Sequence, residues 1–580
     1  MAKHVRFEEI YTSRPRTQWL LTVSLLAAVS LFVVGLCIGV FGIRSEDTFN
    51  CGESHTSFLP FTATESPSVS PSTFLPEDVV RDKLFAEFKA ENIRKHLLVL
   101  TRESHPAGSP ANNRVAEYIR SHLSLHLGAD NVNESTYDVL LSRPNNSNPN
   151  VVKIVSAGGE DHTVLRNKEN QQTYEVDTAI FGFSAQAAVE SERLFYVNTG
   201  SDHDYELLEK QGLLDEINGS VVLLRYGGFR GAQVDKAAEH GAKAVLLYLD
   251  PSAVAKYGID ESKVFPNGAW MPDTAMERGV LSIYKGDPLS QSFVSEIESK
   301  TKYRTALRNV HFPKIPAVPI GYGDAQKLFN LMDNSTALPS HLWRPSEFMR
   351  YSLGGKLLEG RKITVKTTNH NERSVIKNII GQVHGCQEPD RYVILGNHYD
   401  AWTMGGIDPN SGTATLLEIV RVMGVLRTRD SWCPRRTIVF ASWDAEEYGL
   451  VGSTEWAEEH MQILEERAVA YINIDAAVRG RLSFFALGVP LLSNVIYSAA
   501  KLVPDPAGSP DKKLSVHDVW ASTTKGAPQV YPLGSGSDYA TFVNMLGIPS
   551  GRYHREALSD IRGRIGHRTE INPYVCLQRI

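Results

Sequence analysis

The sequence predicts an α/β protein carried behind an N-terminal membrane-spanning helix, and two patterns predict it. After Ile363 the chain alternates apolar strands with helices: RYVILGNHYD, TATLLEIVRVMGVLRT, RRTIVFASWD, STEWAEEHMQILEER and AYINID follow one another. Strands joined through helices of this length imply a sheet that is at least partly parallel. Far upstream, the run from Trp19 to Ile43 carries no charge for 25 residues. At 1.5 Å rise per residue that run can cross a hydrocarbon layer of roughly 30 Å.

Taken in chain order, residues 1–18 form a cytoplasmic tail, because Lys3, Arg6, Arg14 and Arg16 put the basic excess before the apolar run. Residues 19–43 are the transmembrane helix in type II orientation, which sets the rest of the chain outside the plasma membrane. The run is longer than the core of a cleaved signal peptide, about 7–15 residues. Residues 44–75 are a stalk: 12 of the 20 residues from Thr56 to Leu75 are Ser, Thr or Pro, too poor in apolar side chains to build a core. Beyond the anchor lie glycosylation sequons at Asn133, Asn145, Asn218 and Asn334. From Asp82 to about Tyr137 the spacing of LFAEFKAENIRKHLLVLT and NNRVAEYIRSHLSLHL is helical, with HPAGSPANN as a turn between them. From about Val139 to Lys314 the text is rich in strands with short helices.

Composition excludes several classes. With 42% apolar and 22% charged residues in 580, collagen, coiled coil and wholesale disorder are ruled out. A net charge of −6 offers no basic field for nucleic acid. The five cysteines, Cys37, Cys51, Cys386, Cys433 and Cys576, show no CxxC spacing, which argues against a disulfide scaffold and a cysteine zinc finger.

Open α/β sheets bind ligands at the carboxyl ends of their strands, and the polar residues there form a set. His398 and Asp400 end YVILG, Asp408 follows in GGIDPNSG, Asp444, Glu446 and Glu447 end TIVFASW, and Asp475 ends AYINI. Each acid alone could be a turn or cap residue; their convergence is harder to explain that way. Imidazole and carboxylates without thiols suit zinc with an open position for water. Asp408, on a loop, suits a bridging role. Neighbours on a strand point in opposite directions, so one of Glu446 and Glu447 ligates while the other acts as general base. Asp400, two residues past His398, either accepts the imidazole N–H and fixes its tautomer or is a simple turn residue.

At HYDAWTMGGIDPNSG, RRTIVFASWDAEEYGLVGSTEWAEE, AYINID and LGSGSDY the chain resembles the glutamate carboxypeptidase II (N-acetylated-alpha-linked acidic dipeptidase) family of co-catalytic zinc exopeptidases. The similarity runs from the tail to about Tyr553. It implies a zinc-exopeptidase α/β/α sandwich with an inserted β-rich protease-associated domain, so that residues 76–138 and 361–553 make the protease domain and 139–360 the insert. It also implies two zinc ions, with His398, Asp408 and Asp475 on one, Asp408 and Glu447 on the other, and Glu446 as general base. Glu455 and Glu458 match ligands of a structural calcium, with Ser290 and Phe293 as a poorer match for the remaining positions. Arg230, Gly536, Ser537 and Arg552 match substrate-facing positions, and peptides are the expected substrates.

The chain departs from the glutamate-selective pattern at Val280 and Ser537, where asparagines are expected, and at His554, where a second arginine is expected. Burying a side-chain carboxylate without those partners is costly, so broader specificity is expected. After Tyr553 the family's last histidine ligand and its helical dimerisation domain find no match. Residues 554–580 therefore read as a divergent tail of a truncated chain from a homodimeric family, in which only His567 and, less favourably, His554 could replace the ligand. A silent, receptor-like ectodomain, as in the related transferrin receptors, is the alternative to a working peptidase.

Overall fold

In the computed structural model the described residues are 75–159, 162–164, 179–295, 304–480, 483–506, 513–524 and 526–556. The expected tail, anchor and nearly all of the stalk, and His567, lie outside them. No described helix is long and apolar enough to cross a membrane.

The strand–helix text after residue 361 builds the middle of an eight-stranded mixed sheet. Its strands are β1 (Val132–Arg143), β2 (His370–Val383), β3 (Glu388–His398), β4 (Arg436–Trp443), β5 (Ala468–Asn473), β6 (Ser483–Gly488), β7 (Val530–Tyr531) and β8 (Ser550–Glu556). They lie in the order β1-β2-β4-β3-β5-β8-β6-β7. The central run β4-β3-β5-β8 is parallel; β1 and β2 pair antiparallel with their neighbours, and β6 pairs antiparallel with β8 and parallel with β7. Between Cys386 and Cys433 a disulfide ties the β2–β3 turn to the segment before β4; their separation of 47 residues hid the pair from a search for short spacings.

Successive strand residues point to opposite faces, and the core divides accordingly. Ile379 and Phe440 join Leu97, Leu123 and Leu417 on one face. Their neighbours Ile380, Val439 and Ala441 join Trp443, Tyr471 and Phe542 on the other. The first face is covered by α1 (Ala90–Leu100), α2 (Pro110–Leu127) and α3 (Asn410–Arg429), whose apolar stripes pack on it. α2 starts where the Ser109 hydroxyl accepts from the Asn112 N–H and Pro110 presets the first turn; it ends at Gly128. Truncating the fully buried Leu123 to Ala would cost about 2–5 kcal/mol.

Residues 152–365 supply a separate core cluster. It lies around a five-stranded sheet in which four strands from Arg193 to Ile320 run parallel, and beside it a four-stranded sheet made by Val151–Val155, His162–Val164, Ala187–Ser191 and Lys362–Thr367. The junctions differ from the expected 139 and 360. Residues 139–143 remain in β1, paired with β2 along its whole length, whereas 362–367 pair inside the insert.

Candidate active site and metal centre

The parallel register aligns three strand ends: His398 sits opposite Trp443, and Gly396 opposite Asn473. The loops leaving those ends therefore rise from one edge. His398 Nε2 lies 3.1 Å from Asp408 Oδ1, 3.6 Å from Asp475 Oδ1 and 3.8 Å from Glu446 Oε2. His398, Glu446 and Asp475 each offer a ligand atom within 4.8 Å of the others. Asp408 comes from the loop before α3, across a cis bond to Pro409. Where that loop turns, Gly405 has φ of +61°, and a Cβ on Gly412 would meet the Ile474 carbonyl at 1.9 Å, so both positions require glycine.

Left-handed backbone sets the acids. Ala445 (φ 56°) precedes Glu446 and Ala476 (φ 47°) follows Asp475; both are fully buried. A non-glycine residue there costs roughly 1–3 kcal/mol and persists only when its surroundings enforce it. Glu446 and Glu447 consequently stand on a short 3-10 turn, Glu446–Tyr448, and not on a strand. The Asp400 carboxylate accepts from the backbone N–H of Glu446 (2.9 Å) and Glu447 (3.3 Å). The His398 Nδ1 faces the Asp400 backbone carbonyl at 3.0 Å, closer than its carboxylate at 3.4 Å. Asp400 thus orients the imidazole chiefly through its backbone and the two glutamates through its side chain. Asp444 turns away: it accepts from Asn112, the Ala445 N–H and the Lys377 N–H, and burial pushes its carboxyl up to about 7.

Burial raises the proton affinity of Glu446, opposed by His398 and reinforced by Asp538, Asp475 and Asp408. Burial lowers the proton affinity of the His398 imidazole, but Glu446 and the flanking acids outweigh it and raise it. A buried imidazole ringed by carboxylates, with part of Asp408 (27% exposed) open to solvent, fits a zinc ion with room for water. Glu447 instead accepts from the Trp402 indole N–H at 2.9 Å.

A second acidic cluster sits under the insert. Glu455, on the helix Val451–Glu459, is 1% exposed and accepts from the backbone N–H of Asp287 (2.9 Å) and Ser295 (2.7 Å). Burial, then the nearby Glu458, raises its carboxyl to about 8; burial raises Glu458 to about 7. Glu458 Oε2 is buried with no hydrogen-bond partner. An all-oxygen set of this kind fits calcium. Asp287, absent from the sequence reading, lies against it, its carboxylate accepting from the Leu140 and Leu289 N–H groups and from the Ser290 and Ser295 hydroxyls; Phe293 is exposed.

The remaining predicted residues divide. Arg552 is 1% exposed and donates to the Asp475 carbonyl at 3.0 Å, while its Nε and Nη1 have no partner. Ser537 stands behind the site, donating to Asp475 Oδ2 (2.7 Å) and accepting from Asn473; the Gly536 N–H faces the Tyr539 hydroxyl. Arg230 is engaged by the buried Glu277 at 2.5 Å. His554 packs on Phe485 in the sheet. Asn133, Asn218 and Asn334 are exposed and Asn145 half-buried. Asp538, inside the quoted LGSGSDY, was missed: it is fully buried, with its carboxyl raised to about 7 by burial.

Residues 378–561 match peptidase family M28. The chain is 36% identical over 546 residues to "Aminopeptidase NAALADL1" of Mus musculus, covering 90% of this chain and 70% of that protein. It belongs to the glutamate carboxypeptidase II family of M28 peptidases. A second family member, "Glutamate carboxypeptidase 2 homolog" of Caenorhabditis briggsae, is 38% identical over 481 residues, with 80% of this chain and 61% of the relative covered. "Probable glutamate carboxypeptidase LAMP1" of Arabidopsis thaliana is 34% identical over 79% of the chain and 64% of its own length. The chain therefore spans about two thirds of the length of these family members. Among solved structures, an M28 peptidase precursor from Shewanella amazonensis SB2B aligns at 17% identity and a TM-score of 0.49, over 86% of this chain and 93% of that one.

Proposed function

We propose that the chain is a type II membrane-anchored, extracellular zinc exopeptidase of the carboxypeptidase or dipeptidase type. The observation that carries this reading is the gathering of His398, Asp408, Glu446 and Asp475 at one sheet edge, within a chain of M28 descent. His398, Asp408 and Asp475 would hold one zinc, Asp408 and Glu447 a second, with Glu447 leaving Trp402 to do so. Bound there, zinc would lower the pKa of a water and polarise the scissile carbonyl. Glu446 is the general base: its raised proton affinity suits it to take the proton from water and deliver it to the leaving amine. Asp400 holds the turn that aims Glu446. The unpartnered donors of Arg552 favour a carboxylate on the substrate, and Val280, Ser537 and His554 favour broad side-chain tolerance beside it. The insert corresponds to a protease-associated domain, and calcium at Glu455, Glu458 and Asp287 would brace it.

The test is a peptidase assay over acidic and neutral C-terminal residues, with metal analysis of the same preparation. Zinc bound, turnover of both substrate classes and loss of turnover in Glu446→Gln are expected. No zinc and no turnover would overturn the reading in favour of a silent, receptor-like chain; release of acidic residues alone would overturn the breadth of specificity.

A further inference from the structure

The insert carries a cavity of about 1010 Å³, walled by the helix Pro251–Val254 with its flank and by the irregular segment 334–352. That is the upper end of the range for small-molecule sites, about 300–1,000 Å³. None of its lining residues belongs to the His398 or Glu455 clusters. Three cations line it, Lys256, Arg344 and Arg350, against one carboxylate, Glu347. Among the described residues none of the three makes an ion pair; Lys256 only rests over the Tyr257 ring at 6.0 Å. Surfaces ordinarily intersperse opposite charges, and a cleft of one sign concentrates counter-ions.

The wall holds a second signal. The Ser352 hydroxyl is 3% exposed, lines the cavity and has no hydrogen-bond partner. Leaving such a group unsatisfied costs stability, which a ligand acceptor would recover. Beside it the wall is apolar: Met349 and Tyr351 are buried, and the Tyr351 hydroxyl is already committed to Asp250 at 2.7 Å. A single inorganic anion would leave most of this volume empty and the apolar wall unused.

We propose that this cavity is a binding site for a short acidic peptide. The aliphatic stems of glutamyl side chains lie on Met349 and Tyr351, and their carboxylates meet Arg344, Arg350 and Lys256. Arginine suits the role because its planar fork pairs with carboxylates in two parallel hydrogen bonds. No bond is made or broken there, so the site is independent of the proposed peptidase chemistry.

All-D triglutamate, which a peptidase leaves intact, is the probe, titrated by calorimetry into the whole chain. Saturable binding that weakens with added salt is expected, with no binding of trialanine. The double variant Arg344→Gln/Arg350→Gln, changed at two exposed side chains, keeps the wild-type Tm and binds about tenfold or more weakly, a loss of about 1.4 kcal/mol; Glu446→Gln binds as the wild type does. Ser352→Ala also weakens binding. The proposal falls if triglutamate does not bind at millimolar concentration, if trialanine binds equally, or if the arginine variant binds undiminished. Capture of a heparin-derived disaccharide in place of triglutamate would equally overturn it.

Discussion

Two buried clusters of carboxylates differ in three respects. The cluster at the sheet edge surrounds an imidazole, is set by left-handed Ala445 and Ala476, and stays partly open through Asp408. The cluster beneath the insert has no nitrogen ligand, is roofed by the backbone N–H groups of Asp287 and Ser295, and is closed, with Glu455 at 1% exposure. Openness and strain suit chemistry; closure and oxygen-only donors suit a structural cation. The same residue type, glutamate, is thereby put to two uses by its neighbours.

The largest expected effect breaks the first cluster alone. Glu446→Gln lowers kcat by about 10²- to 10⁴-fold, the usual worth of a positioned general base, with zinc content and Tm preserved in metal analysis and calorimetry. Loss of zinc in that variant would instead make Glu446 a ligand, as its distance of 3.8 Å from His398 Nε2 allows.

The second cluster is tested with calcium. With Glu455 and Glu458 raised to about 8 and 7, protonation in the folded state stabilises the cation-free protein fully below the unfolded value near 4.5. That stabilisation is lost as pH rises through 7 to 8. Calcium reverses the trend by binding the ionised form. Calcium at 100 times its Kd is worth about 2.7 kcal/mol, so its Tm increment is expected to be larger at pH 8 than at pH 5. Glu455→Gln/Glu458→Gln abolishes the calcium increment and leaves zinc-dependent turnover largely intact.

A third cluster, of imidazoles, sharpens the contrast by a smaller amount. His96, His122 and His126 on α1 and α2 contact edge to face at ring centroid distances of 4.6 Å. Burial, then repulsion from His96 and His126, lowers His122 to about 4. Its neutral form is thus favoured in the folded state, and this contribution to stability is present above pH 6.5 and lost as pH falls toward 4. His122→Phe should flatten the fall of Tm between pH 6.5 and 4; an unchanged slope would show that other groups set it.

The smallest effect concerns the residue behind Asp475. Ser537→Ala removes one hydrogen bond to that carboxylate, worth about 1.5–3 kcal/mol when an ion accepts it. Zinc affinity should weaken roughly tenfold, as for other groups that orient a ligand, with a modest rise in KM.

Sequence exposed the parallel strands because residues such as YVILG and TIVFASW read as buried runs, and the strand ends then named His398, Asp408, Glu446 and Asp475. It did not expose orientation. Glu446 and Glu447 were assigned opposite directions from strand alternation, but a left-handed Ala445 takes them off the strand, and nothing in the letters EE announces that. Asp287 was hidden because its partner Glu455 is 168 residues away. Asp538 stands in LGSGSDY as one acid among turn residues, and only its burial marks it out. The helical spacing of LFAEFKAENIRKHLLVLT spans two helices, parted at Phe88 and Lys89, where the Lys89 N–H donates to Glu418.

Arg143, the last residue of β1, faces His370, the first of β2, across the ladder. The whole insert thus departs and returns at adjacent points, like a module plugged into one socket. Joining the two strands directly would need only a tight hairpin turn and would leave every strand of the large sheet threaded as before. Such a body can be gained, lost or exchanged in descent without re-routing the catalytic scaffold. What its removal would take away is the segment around Asp287 that roofs Glu455, together with Phe183, Val280 and Leu289, which it lends to the core of the large sheet.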